Sequence, residues 1–127
     1  MTERNDFEIR SAALGVFQTN CYTVRHDRRM WIVDAGFEPE ALIEMARAQD
    51  ATVEAIVLTH AHSDHIAGIP AVLAAFPGTP VWIHEAEQAW LGNPELNLST
   101  RLGQPISLGD PDRLLRAGET LTLGAMR

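Results

Sequence analysis

The sequence contains no lysine, a single cysteine and a single tyrosine, and no apolar run that approaches the ~18 residues of a membrane-spanning helix. Each shortage removes a class of function. Without lysine, all ten basic residues are arginines, set against 17 acidic residues for a net charge of −7. An acidic chain with scattered arginines carries no electrostatic footprint for nucleic acid or for an anionic membrane. The one adjacent pair, Arg28-Arg29, is too short to form a patch and reads as a solvated turn. The lone Cys21 cannot close an intrachain disulfide. Residues 1–6 are polar and lack the apolar stretch of a secretory signal, so a reducing cytoplasm is the expected compartment. Repeats, low-complexity tracts and internal linkers are missing as well.

What remains is an ordinary composition, with 46% apolar and 21% charged residues over 127 positions. That is about one domain, long enough to bury roughly two-thirds of its unfolded surface. Alternating or continuous apolar character predicts strands over 7–14, 20–25, 30–33, 53–58 and 80–83, with a polar turn at 26–29 closing a hairpin. Pro39 and the acids around it open a helix that runs to about Gln49, with Leu42, Met45, Ala46 and Gln49 on one face. A loop over 60–70 leads into a second helix to about Phe76, and a short helix is expected over 85–91. Residues 92–118 read as loop, and Leu121-Thr122-Leu123 as the start of another strand. A hairpin followed by alternating strands and helices is an α/β pattern with a mixed sheet, in which ligand sites lie beyond the carboxyl ends of the strands.

Directly after the most apolar strand stands Thr59-His60-Ala61-His62-Ser63-Asp64-His65, holding three of the five histidines and an aspartate. Imidazole is the commonest neutral metal ligand, and a carboxylate adds a hard anionic one. Extended backbone turns residues two apart to the same side, so His60 and His62 can grip one ion. Asp64 and His65 are left for a neighbouring ion, or to hold and activate a water. Helix capping by Asp64 is the plain alternative for that residue alone.

The stretch from Thr59 to Gly68 resembles the signature of the metallo-β-lactamase-fold hydrolases. Asn20-Cys21-Tyr22-Thr23-Val24, Ile32-Val33-Asp34-Ala35-Gly36, Ile83-His84-Glu85 and Gly118-Glu119-Thr120-Leu121 are similar to further segments of that family, so the likeness runs along almost the whole chain. Within the superfamily the chain looks most like the glyoxalase II-type thioester hydrolases. The resemblance implies the N-terminal half of an αββα sandwich, a mixed sheet with helices on one face, so that 1–127 form one incomplete domain. It implies zinc, one or two ions, at His60 and His62 and at Asp64 and His65; iron or manganese also suit His/Asp sites. It makes Asp34 a buried carboxylate that orients the ligand loop, where the residue alone also reads as a turn cap. It implies hydrolysis of a small-molecule thioester, ester or amide, with Asp64 in the catalytic machinery. The family's remaining ligands come from a second half, and after His84 this sequence has no histidine. Two outcomes follow: a hydrolase of which this is the first part, or a metal-binding module whose partner, for example a second copy docked on the uncovered sheet, completes the site.

His84 reads as a helix start or surface residue, with the pocket rim as its functional alternative. His26 reads as solvated in its turn, and Cys21 as a buried structural thiol. Trp31, Trp82 and Trp90 read as packing, and no spacing supports a substrate contact for Trp90 or for Asn97-Leu98-Ser99.

Overall fold

Alternation sets the first hairpin in the computed structural model, which describes residues 7–123. β1 (Phe7–Leu14) runs antiparallel to β2 (Thr19–His26), and β2 antiparallel to β3 (Arg29–Val33). The chain then crosses over through α1 (Glu40–Arg47) and returns as β4 (Thr52–Val57), parallel to β3. The helical turn α2 (Ser63–Ile66) and the helix α3 (Ile69–Ala75) carry it to β5 (Val81–His84), again parallel. A final parallel strand, β6 (Arg113–Leu115), completes a six-stranded mixed sheet in the order β1-β2-β3-β4-β5-β6. Two short 3-10 turns, Glu85–Glu87 and Ser99–Leu102, interrupt the long connection between β5 and β6.

The two faces of this sheet differ. On one, Cys21, Met30, Ile32, Ile56 and Ile83 are fully buried against Leu42 of α1, Ile66 of α2 and Val72 of α3. This is the helix-covered face expected for an α/β sheet, where parallel strands read as continuous apolar runs. On the other, Trp31 and Ala55 pack with Leu123, flanked by Val24, Val57 and Trp82. The Trp31 and Trp82 rings meet edge to face, 6.2 Å apart. A register shift between Met30 and Trp31 sets Met30 against Val53 and Trp31 against Ala55, so Glu54 is the extra residue of a bulge.

Three expectations are corrected. β6 lies inside the stretch read as loop; its residues become a strand through pairing with β5, fastened by Asp112, which accepts from Val81 N–H through Oδ2 and donates its own N–H to Val81 O. The helix expected over 85–91 is only a 3-10 turn followed by turns. His26 is not solvated: it closes β2 at 7% exposure, since its strand pairs out to Phe7 and Arg29. Of the strand start expected at Leu121-Thr122-Leu123, only Leu123 pairs, as a single bridge, while Leu121 and Thr122 are irregular; its continuation past Leu123 lies outside the described residues. Among the described residues no helix is long and apolar enough to cross a membrane.

Candidate metal centre

Parallel pairing of β3 with β4 brings the carboxyl ends of both strands to one edge, where Asp34 N–H donates to Val57 O at 3.1 Å. Asp34 follows β3 and the histidine loop follows β4, so residues 25 to 31 positions apart become neighbours. The two segments then lock. Ala35 N–H donates to His65 O at 2.9 Å, and Gly68 N–H to Ala35 O at 2.8 Å. A Cβ at Gly68 would stand 2.3 Å from Gly36 O, and one at Gly36 would stand 2.7 Å from Asp64 O. Two glycines are what let these backbones approach.

Asp34 is 1% exposed and sits at φ 64, a left-handed conformation that aspartate tolerates better than most residues. Its Oδ1 accepts from Thr59 N–H at 2.8 Å. Its Oδ2 accepts from the Thr59 hydroxyl at 2.6 Å and from His65 Nδ1 at 2.8 Å. A carboxylate can only accept, so His65 carries a proton on Nδ1, and Nε2 is its outward-facing nitrogen. Thr59 has one hydroxyl proton, given to Asp34, so its oxygen accepts from His60 Nδ1, 3.0 Å away. Thus one buried carboxylate engages Nδ1 of His65 directly and Nδ1 of His60 through Thr59, and both rings turn Nε2 away from it.

The three imidazoles cluster. The His60 ring centroid lies 4.0 Å from that of His65 and 4.8 Å from that of His62. His65 Nε2 is 3.5 Å from Asp64 Oδ2, which also accepts from the Thr19 hydroxyl at 3.0 Å. Burial, and then the neighbouring His65 and His62 rings, hold the His60 ring below the usual histidine range, against the pull of Asp34 and Glu87. The donors are of the right kind for a divalent ion: three imidazoles, two of them held from behind through Nδ1, beside a carboxylate. Among the described residues, however, no three His, Cys, Asp or Glu side chains already stand together as a group set to hold an ion. The cluster is a half-built donor set.

All four motif residues and Asp34 are therefore brought together. His84 is elsewhere engaged: its Nδ1 accepts from Ala86 N–H at 3.0 Å, capping the turn that follows β5. That turn supplies what sequence reasoning missed. Glu87 Oε1 accepts from Ala61 N–H at 2.8 Å, tying down the backbone between His60 and His62. Trp90 stacks on His62, with centroids 5.3 Å apart and planes at 26°. The parallel strand order was the available signal, since it delivers the residues after β5 to the same edge. Cys21 is fully buried beneath this site and is no donor to it: burial above all, helped by Asp34 and Asp64, pushes its thiol up to about 11.

Comparison with known proteins agrees with this architecture. The probable metallo-hydrolase YqgX of Bacillus subtilis is 32% identical over 116 residues, which are 91% of this chain and 54% of that protein. The hydroxyacylglutathione hydrolase of Vibrio parahaemolyticus is 39% identical over 61 residues, 48% of this chain and 24% of that one. Among solved structures, the B3 metallo-beta-lactamase BLEG-1 superposes with a TM-score of 0.82 at 41% identity, over 92% of this chain and 57% of its own. TTHA1623, solved in a di-iron-bound form, superposes with a TM-score of 0.72 at 30% identity, over 87% and 56%. The chain thus spans little more than half the length of the relatives it matches most fully. The sequence pattern of the Metallo-beta-lactamase superfamily matches residues 14–125, which take in both the Asp34 strand end and the histidine loop, and the chain belongs to that superfamily.

Proposed function

We propose that this chain is the metal-binding half of a metal-dependent hydrolase that cleaves a small-molecule thioester or a related ester or amide. One observation carries the reading: a single buried carboxylate, Asp34, orients His65 directly and His60 through Thr59. Ligand histidines commonly lean on a carboxylate behind the ring through the nitrogen that faces away from the ion, and that is the arrangement here. His60 and His62 would hold one ion, and Asp64 and His65 a second. Zinc fits the imidazole donors, and iron or manganese suits the same mixture of nitrogen and oxygen; TTHA1623 supports iron as an alternative. A bound divalent ion supplies Lewis acidity and a more acidic water. The chain's own contribution is orientation and proton handling. Thr19 and His65 occupy the Oδ2 side of Asp64; among the described residues its Oδ1 has no hydrogen-bond partner and is left to accept a proton from water. A thioester is favoured by the hydroxyacylglutathione hydrolase relatives, and its leaving thiolate needs little protonation. The free, buried Cys21 suits a reducing, cytoplasmic setting.

A catalytic zinc ordinarily has three protein ligands and a water. The half-built donor set therefore favours a second reading too, a metal-binding module completed by another polypeptide, such as a second copy on the Trp31/Trp82 face. Zinc titration and a glutathione thioester assay test both, first on the chain alone and then on a form extended to the relatives' full length. We expect zinc binding whose stoichiometry and affinity fall in His60→Ala and His62→Ala, and turnover in the extended form. Zinc stoichiometry and affinity unchanged by both substitutions overturn the metal centre. Zinc binding with no turnover of a thioester, a β-lactam or a lactone by the extended form overturns the hydrolase and leaves the module, whose mark is a dimeric mass.

A further inference from the structure

A cavity of about 240 Å³ opens beside the histidine loop. His62 and Asp64 form one side of it, and Phe17, Leu98 and Leu102 form an apolar wall. Phe17 is 55% and Leu102 40% exposed, large apolar groups left in water next to a polar cluster. Arg101 completes the lining and is its one cation among the described residues.

This wall is built and not incidental. Leu98 stands at φ 69, a left-handed backbone that a bulky side chain adopts only where its surroundings impose it. The imposing groups are Asn97 and Ser99, both 0% exposed. Asn97 Nδ2 donates to Trp90 O and to Ile106 O, each at 2.9 Å, while its Oδ1 accepts from Ser99 N–H at 3.0 Å. Ser99 Oγ accepts from Ile106 N–H at 2.7 Å. Asn97 O in turn accepts from Ser63 N–H at 2.7 Å, which fastens the wall to the histidine loop itself. The turn Ser99–Leu102 then presents Arg101, whose guanidinium has no ion-pair or hydrogen-bond partner among the described residues.

We propose that Arg101 is a specificity-determining residue, and that the cavity takes a short acyl compound bearing a carboxylate. The proposal rests on the hydrolase reading above only for calling that compound a substrate. The chain carries a net charge of −7, and Asp64 lines the same cavity, so an anion gains nothing here except from a local cation. Arginine meets a carboxylate with two parallel N–H donors, which gives both affinity and orientation. The volume lies just below the roughly 300 Å³ at which drug-sized pockets begin, enough for a few carbons against Phe17, Leu98 and Leu102.

The test uses a matched pair of probes, 4-methylpentanoate and its neutral amide, titrated into the full chain and followed by amide NMR. Metal is removed with a chelator beforehand, so that no carboxylate binds through an ion. We expect the acid to bind about tenfold more tightly than the amide, with shifts at Leu98 and Leu102. In Arg101→Gln the acid should fall to the level of the amide while amide binding stays the same, and Arg101→Lys should keep part of the preference. The position is exposed, so both variants should fold. Equal binding of acid and amide, or a preference that survives Arg101→Gln, overturns the proposal whatever the thioester assay gives. An Arg101-dependent preference in a protein whose extended form turns over no thioester, β-lactam or lactone overturns the hydrolase reading alone.

Discussion

Two loops meet at the edge of the sheet, and they are held by opposite means. The histidine loop, 59–68, keeps His60, His62, Asp64 and His65 half-exposed and is organised from below by one buried carboxylate, Asp34, together with the close approach of Gly36 and Gly68. The later loop, 93–106, is organised from within by Asn97 and Ser99, whose polar groups are buried and spent on its own backbone and on Trp90 O. The first spends its rigidity on presenting ring nitrogens in fixed directions. The second spends it on shape, a wall and a strained Leu98. One hydrogen bond, Ser63 N–H to Asn97 O, joins them. If the division is real, breaking one organiser should damage one property and spare the other.

The largest effect is expected at Asp34. Asp34→Ala leaves Thr59 N–H, the Thr59 hydroxyl and His65 Nδ1–H without an acceptor at a site 1% exposed, a loss of about 3 kcal/mol or more in urea unfolding. Zinc affinity should fall by about 100-fold, both histidines having lost their orienter. Hydrogen exchange at Ser99 and Ile106 should keep its wild-type pattern relative to global stability. Asn97→Ala is the mirror experiment. It strands Trp90 O, Ile106 O and Ser99 N–H, for about 2 kcal/mol, and should strip protection from the amides of 98–106. Its effect on zinc affinity should be far smaller than that of Asp34→Ala. Equal loss of zinc in both variants would mean that the two loops form one unit.

The two loops also differ in how visible they are in the sequence. His60, His62, Asp64 and His65 stand within six positions, so their chemistry announces itself locally; Asp34, which alone reads as a turn cap, is reached only through the family resemblance. The strands β1 to β5 are equally visible, because alternation and apolar runs are properties of short windows. Asn97, Ser99, Glu87 and Trp90 are invisible for the opposite reason: each acts on a backbone group or ring elsewhere, and a buried asparagine looks like any loop asparagine until the fold closes on it. The strand β6 was hidden likewise, since three residues, Arg113–Leu115, become a strand only by pairing with β5. Thr59 lay in plain view within the motif, but its role as the link between Asp34 and His60 needs two distances to be seen.

Thr59→Val isolates that link. Valine keeps the volume and the N–H to Asp34 Oδ1, and removes only the hydroxyl. His60 loses the partner that holds its proton on Nδ1, while His65 keeps its own. Zinc affinity should drop by about tenfold, and the unfolding midpoint should move by no more than about 1 kcal/mol. Unchanged affinity would show that His60 needs no orienter.

The smallest effect probes the floor beneath the histidine loop. Cys21 is fully buried, and burial, with smaller contributions from Asp34 and Asp64, raises its thiol from 9.0 to about 11 against a hydrogen bond with the Gly36 backbone. A raised folded-state value means that the folded chain holds the proton more tightly than the unfolded one. Stability from this group is therefore complete below about pH 9 and drains away as pH rises toward 11. By pH 9.5 the loss should be just under about 1 kcal/mol, read as a fall in urea midpoint relative to pH 8. Cys21→Ala should flatten that alkaline slope while leaving the Asn97 loop's exchange pattern unchanged. A slope that persists in Cys21→Ala would place the alkaline sensitivity elsewhere and remove the thiol as a reporter of how tightly Asp34 and the histidine loop close over β2.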